Sequence, residues 1–269
     1  MSFSLTGKTA IVTGAASGLG LAVARHFVDK GANVVFADID EARLSDEVGA
    51  DARSDRAVRI FTGDLCQKLT IANLLSATMD AYDRIDILVN ASRMIMPSQP
   101  LCPEEDGVEE MLRQNLMTSL RLSQHTAKRM IQQAEKSEDR TMPAGAIVNL
   151  SSLAAHRVQR GLMGYAVATA AVEQMTRSLA VELAPKRIRV NAVAFGSLLS
   201  ASLQQSLKAE PDYRTAILSG TPIGRIAPAS EIAETVQYLA SDASSFMTGQ
   251  VLMLDGGREL VDCVPAPVH

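Results

Sequence analysis

Residues 9–20 read TAIVTGAASGLG, and this stretch decides the fold. The run TAIVT has the β-branched, apolar character of a strand. Gly14, Gly18 and Gly20 interrupt it, and a helical pattern follows to about Lys30. A strand that turns tightly into a helix leaves the helix's first N–H groups unpaired, under a partial positive charge. Glycines permit the tight turn and let a ligand come close to the backbone, so the arrangement suits a pyrophosphate. A glycine-rich turn can also be a turn and nothing more; its place after a strand and before a helix favours the binding role.

Outward from this turn, short apolar runs alternate with helix-length segments. They are NVVFAD (33–38), AVRIFT (57–62), IDILVN (85–90), GAIVNL (145–150), RIRVNAV (187–193) and QVLMLD (250–255). Runs this apolar indicate parallel strands covered on both faces. The expected fold is therefore α/β: a Rossmann-type, doubly wound parallel sheet of about seven strands with helices on both sides. A length of 269 residues suits one large domain over 1–269, and no internal repeat is visible. The charged stretch QQAEKSEDRTMPAG (132–145) ends in Pro and Gly and is expected to be an exposed loop insertion.

The 26 basic and 30 acidic residues give a net charge of −4 without a basic stripe, which argues against nucleic acid or a charged membrane surface as partner. A small molecule is expected instead. Cys66, Cys102 and Cys263 lie far apart in no ligand-like spacing, so neither a disulfide framework nor a metal site is expected. The N-terminus has no basic segment leading into an apolar run, and no stretch reaches about 18 uninterrupted apolar residues; the expectation is a soluble cytoplasmic protein.

The second strand ends at Asp38, where an acidic side chain can accept hydrogen bonds from an adenosine ribose. A carboxylate there repels a 2′-phosphate, so NAD is expected rather than NADP. Alternatively, Asp38 or Asp40 caps the helix that begins near Glu41.

Taken together, TGAASGLG, Asp64-Leu65 after the third strand, Asn115-Leu116 in a long helix, Ser151-Ser152, Tyr165, VNAVAFG (190–196) and TGQVLMLDGG (248–257) make the chain resemble a short-chain dehydrogenase/reductase over nearly its full length. Ser152 and Tyr165 also stand thirteen residues apart, as in that family. The resemblance implies that Gly14, Ser17, Gly18, Leu19 and Gly20 hold the cofactor's pyrophosphate, that Asp64 and Leu65 meet its adenine, and that Asn90 and Ala91 lie along it. Tyr165 would exchange a proton with the substrate oxygen, Ser152 would hydrogen-bond that oxygen, and Asn115 would help hold a water relay. The hydride passes between nicotinamide and substrate carbon, so the protein's part is orientation and proton management. Singly, a serine here could be a cap and a tyrosine could simply pack.

The pattern breaks at one charge. The family has a lysine four residues after the tyrosine, on the same helical face, and this chain has Thr169. Thr169 can still meet the nicotinamide ribose but brings no charge. A tyrosine hydroxyl without a cation titrates near ~10, so only about one in a thousand is phenolate at neutral pH; bringing it to neutrality is worth roughly 4 kcal/mol. Two more departures cluster here. The family's Asn-Asn-Ala-Gly turn reads Asn90-Ala91-Ser92-Arg93, and its Pro-Gly reads Phe195-Gly196. Arg93, His156, Arg157 and Arg160 are the candidates for a replacement cation.

The resemblance therefore implies an NAD(H)-dependent oxidoreductase that interconverts a secondary alcohol and a ketone, with reduced or altered catalysis. The alternative is a catalytically silent dinucleotide-binding homologue acting as a sensor or partner subunit. Residues 197–222 correspond to the family's variable lid, or pack as ordinary amphipathic helix. A homotetramer is also implied, through the helices near 108–133 and 164–184. Ala166, Ala168, Ala170, Ala171 and Ala180 would let helices approach closely, unless they pack only against the sheet.

Overall fold

All seven apolar runs form strands: β1 (Thr9–Thr13), β2 (Asn33–Asp38), β3 (Val58–Thr62), β4 (Ile87–Asn90), β5 (Gly145–Ser152), β6 (Ile188–Phe195) and β7 (Val251–Leu254). The computed structural model describes residues 2–139 and 141–262, so Cys263 lies outside it. The strands form one parallel sheet in the order β3-β2-β1-β4-β5-β6-β7. The order reverses between β1 and β4, and sheets of this kind take ligands in the crevice at the carboxyl ends of the strands there.

The helices are α1 (Gly18–Asp29), α2 (Glu41–Ser54), α3 (Lys68–Tyr82), α4 (Val108–Met111), α5 (Thr118–Lys136), α6 (Met163–Leu183), α7 (Ala201–Ala209), α8 (Pro211–Ser219) and α9 (Ala229–Ala240). One face of the sheet is covered by α1 and α9, which bury Val23, Phe27, Ile232 and Val236. The other is covered by α3, α5 and α6, with Leu74, Leu122, Met130 and Ala180. Each fully buried Val, Leu, Ile or Phe side chain contributes about 1.5–3 kcal/mol, so the two cores hold the strand ends rigidly beneath the crevice.

The expected insertion is shorter than its sequence suggested. Residues 132–136 continue α5, because Ile131 and Ala134 still pack against the core. Beyond the helix, residues 137–139 and 141–143 are exposed, and Ala144 is buried. The stretch 197–222 holds α7 and α8. Among the described residues no helix is long and apolar enough to cross a membrane, and no group of His, Cys, Asp and Glu is arranged to hold a metal ion.

Candidate active site

The glycine-rich turn is built for close approach. Gly14 has φ +65°, and a Cβ there would meet the Ser92 backbone at 2.8 Å; one on Gly20 would stand 2.1 Å from the Gly14 carbonyl oxygen. A Cβ on Gly18 would meet nothing within 4 Å, so that residue faces open space. Gly18, Leu19 and Gly20 open α1, where backbone N–H groups lack intrahelical partners. Ser17 precedes them with a side chain that makes no capping bond.

Asp38 stands beside this turn and is half-buried. Its Oδ2 accepts from the Ala16 N–H at 2.9 Å and its Oδ1 from the Asp40 N–H at 3.1 Å, which leaves lone pairs on both oxygens. The cap of α2 is Asp40, whose Oδ1 accepts from the Arg43 N–H at 3.0 Å, so Asp38 is not needed for that purpose. Asp64 turns its own loop by accepting from the Cys66 N–H at 2.9 Å, and Leu65 is buried. An open helix N-terminus with a carboxylate to one side fits the pyrophosphate and ribose of a nicotinamide dinucleotide.

The loop after β4 is pinned from both sides. Thr13 Oγ1 accepts from the N–H groups of Ala91 and Ser92, both at 3.0 Å. Asn115 holds Met94 by both backbone groups: its Oδ1 accepts from the Met94 N–H at 2.7 Å and its Nδ2 donates to the Met94 carbonyl at 2.9 Å. Asn115 lies in a π-helical turn, Leu112–Met117, between α4 and α5. Such a turn re-aims one side chain, and no residue pattern announces it. Asn90 is buried, and its Nδ2 donates inward to Ser123 Oγ at 3.0 Å and Asn149 Oδ1 at 2.7 Å.

Between Thr13 and Asn115 the loop projects Arg93 across the strand ends. The Arg93 Nη1 donates to the Tyr165 hydroxyl at 3.4 Å, and the guanidinium lies 4.8 Å from the centre of the Phe195 ring, a cation–π geometry. Two of the three departures from the family pattern therefore touch each other, and one reaches the tyrosine. Thr169 is buried, and its hydroxyl is turned back onto the carbonyls of Tyr165 (2.9 Å) and Ala166 (3.1 Å). Ser152 ends β5 in register with Phe195 on β6, and its Oγ accepts from the Ala154 N–H at 3.1 Å. Ser152, Tyr165, Arg93 and Phe195 all line one cleft of about 610 Å³.

The other candidate cations part company. Arg157 and Arg160 line the cleft, whereas His156 is not among its walls. His156 Nε2 lies 2.9 Å from Glu173 Oε1, and its Nδ1 lies 2.8 Å from Glu259 Oε1. Glu173 is buried on α6 and also accepts from Ser151 Oγ at 2.9 Å, with Arg177 at 3.5 Å. Sequence reasoning missed Glu173, Arg258 and Glu259. Glu173 was in principle accessible, since it lies eight residues, or two helical turns, beyond Tyr165 on the same face. The other two reach the site only through the fold.

The family model described as enoyl-(acyl carrier protein) reductase matches residues 14–259. The chain is 35% identical over 256 residues to the cis-4-hydroxycyclohexanecarboxylate dehydrogenase of Sinomonas cyclohexanicum, covering 94% of this chain and 97% of that one. It is 33% identical over 262 residues to the L-fucose dehydrogenase of Rattus norvegicus, covering 95% and 90%. Among solved structures, a 7α-hydroxysteroid dehydrogenase complexed with NADH and 7-oxo glycochenodeoxycholic acid superposes with a TM-score of 0.85 at 29% identity, over 95% of both chains.

Proposed function

The chain belongs to the short-chain dehydrogenase/reductase family of oxidoreductases, and from that premise we propose that it interconverts a secondary alcohol and a ketone with NAD(H), using a relocated positive charge. The observation that carries this reading is the guanidinium of Arg93 at the Tyr165 hydroxyl, in the cleft that Ser152 also lines.

The nicotinamide, when bound, accepts the hydride in oxidation and gives it in reduction. Tyr165 takes the hydroxyl proton from the alcohol, or returns it to the developing alkoxide in the opposite direction. Ser152 Oγ already accepts from the Ala154 N–H, so its own proton is free for the substrate oxygen. Arg93 stabilises negative charge on the Tyr165 oxygen, the electrostatic part of the missing lysine's work. Thr169 supplies none of it, because its hydroxyl is committed to the helix backbone. Asn115 acts by position, fixing the loop that carries Arg93.

NAD(H) is favoured over NADP(H) because Asp38 ends β2 with a carboxylate and Ile39 and Asp40 follow it without a basic side chain for a 2′-phosphate. The protein is read as a cytoplasmic homotetramer. On α6, Ala168 and Ala180 are buried within the chain, while Ala170, Val167 and Val181 stay exposed along the helix. Light scattering that gave a monomer at micromolar concentration would reject the assembly.

The deciding experiment follows NADH at 340 nm with a broad panel of secondary alcohols and ketones, alongside calorimetric titration with NADH and NADPH. Turnover with tighter NADH binding is expected. Tight NADH binding without turnover of any panel member would leave the silent, dinucleotide-binding reading in place.

A further inference from the structure

The cleft beside Tyr165 carries positive charge far in excess of anything the hydride chemistry asks for. Four of its walls are arginines, Arg93, Arg157, Arg160 and Arg258, and none of its lining residues is acidic. In a chain of net charge −4 this concentration is unexpected from composition. Its parts come from three separate places, the β4 loop, the segment between Ser152 and Tyr165, and the turn after β7, so local sequence does not account for it either.

Three of the four arginines are held without being neutralised, and Arg160 stands exposed on the cleft wall. Arg157 donates from Nη2 to the Glu259 backbone carbonyl, and Arg258 donates from Nη1 to Ser197 Oγ at 3.1 Å. Arg93 uses one arm on Tyr165 and its face on Phe195. Among the described residues no carboxylate forms an ion pair with any of the four. The Glu259 carboxylate is turned to His156. Neutral acceptors fix a guanidinium in place but leave its charge and most of its five donors available. Surface arginines usually have a partner or stand in bulk water; several sharing one cleft focus the field on whatever enters it.

The remaining walls are apolar. Leu153, Leu162, Leu198 and Leu203 contribute hydrocarbon surface to the same cleft. A polyphosphate gains nothing from such walls, whereas a carbon skeleton bearing one carboxylate uses both surfaces. A dinucleotide's pyrophosphate would be held at the start of α1, none of whose residues lines this cleft, and so would not account for these arginines. The chemistry that fits is planar, bidentate recognition of a carboxylate by guanidinium.

Resting on the oxidoreductase reading above, we propose that the substrate is an organic acid, a hydroxy or oxo carboxylate with an apolar skeleton. Its carboxylate is held by Arg157, Arg160 and Arg258, while its hydroxyl or carbonyl meets Tyr165 and Ser152. Arg93 serves the tyrosine, and the other three serve the carboxylate.

The test uses oxo acids of graded spacing, 3-oxobutanoate, 4-oxopentanoate, 5-oxohexanoate and 4-oxocyclohexanecarboxylate, each beside its methyl ester. Every pair is titrated by calorimetry into the full-length protein saturated with oxidised NAD, with which the oxo compounds cannot react, and turnover with NADH is followed in parallel. At least one acid is expected to bind tenfold or more tighter than its ester. That preference should shrink when salt is raised from about 50 to 500 mM, because exposed charges are screened. It should fall at least fivefold in Arg157→Gln/Arg160→Gln, whose thermal melting serves as the folding control. Arg258→Gln repeats the measurement from the far wall should the double variant melt early. Esters binding as well as acids, no acid binding at millimolar concentration, or an acid preference that survives both sets of variants would overturn the proposal. Binding of the acids without turnover would instead uphold the carboxylate site and count against the oxidoreductase reading, so the two failures are distinct.

Discussion

Replacing Arg93 by Met tests whether charge has moved from the α6 helix to the β4 loop. Met keeps most of the hydrocarbon length, so contact with Phe195 largely survives while the cation is lost. At the observed Nη1 to oxygen distance of 3.4 Å, a unit charge and a phenolate attract by about 5 kcal/mol at an effective dielectric constant of ~20, and by about 1 kcal/mol in water. Arg93 is exposed although Tyr165 is buried, so the working value lies in the lower part of that range, about 1–2 kcal/mol. This corresponds to a loss of roughly 5- to 30-fold in kcat/KM for alcohol oxidation at pH 7. The assay is the initial rate of NAD reduction at pH 7 for wild type, Arg93→Met and Arg93→Lys, with NADH affinity measured separately. A folded Arg93→Met protein with wild-type kcat/KM would show that the guanidinium does not serve the tyrosine.

Three further outcomes follow from the same geometry. Thr169→Lys in the wild-type background should change oxidation at pH 7 by less than about threefold, since a cation already stands at Tyr165, whereas in the Arg93→Met background it should restore most of the lost rate; a double-mutant cycle reads the coupling directly. Gly20→Ala should abolish NADH binding by calorimetry and lower the melting temperature, because the new Cβ would lie 2.1 Å from the Gly14 carbonyl oxygen and overpacking of this kind costs about 1–3 kcal/mol or more. Partial burial raises the Cys66 thiol above its ordinary range, so less thiolate is present at any given pH and iodoacetamide should label exposed Cys102 before half-buried Cys66; peptide mapping that found the two labelled at equal rates would contradict that difference in placement.

The seven strands were legible in the sequence because a parallel sheet buried on both faces demands continuous apolar runs, and TAIVT, NVVFAD and GAIVNL meet that demand residue by residue. The tight glycine-rich turn was equally legible: Gly14 and Gly20 are fixed by contacts within a few residues or with the neighbouring strand end. So was the absent lysine, since the spacing from Tyr165 to Thr169 is one turn of a single helix. Which cation stands beside Tyr165 was not. Arg93, Phe195 and Tyr165 stand on three different elements, and only the parallel register that aligns β4, β5 and β6 brings their ends side by side. The sequence could offer four candidate cations. It took the fold to carry Arg93 to the tyrosine, to withdraw His156 between two glutamates, and to line the cleft with Arg157, Arg160 and an arginine from beyond the last strand. Local pattern determines which backbone forms. Charge acts across space, so its partners are set by where the strands end.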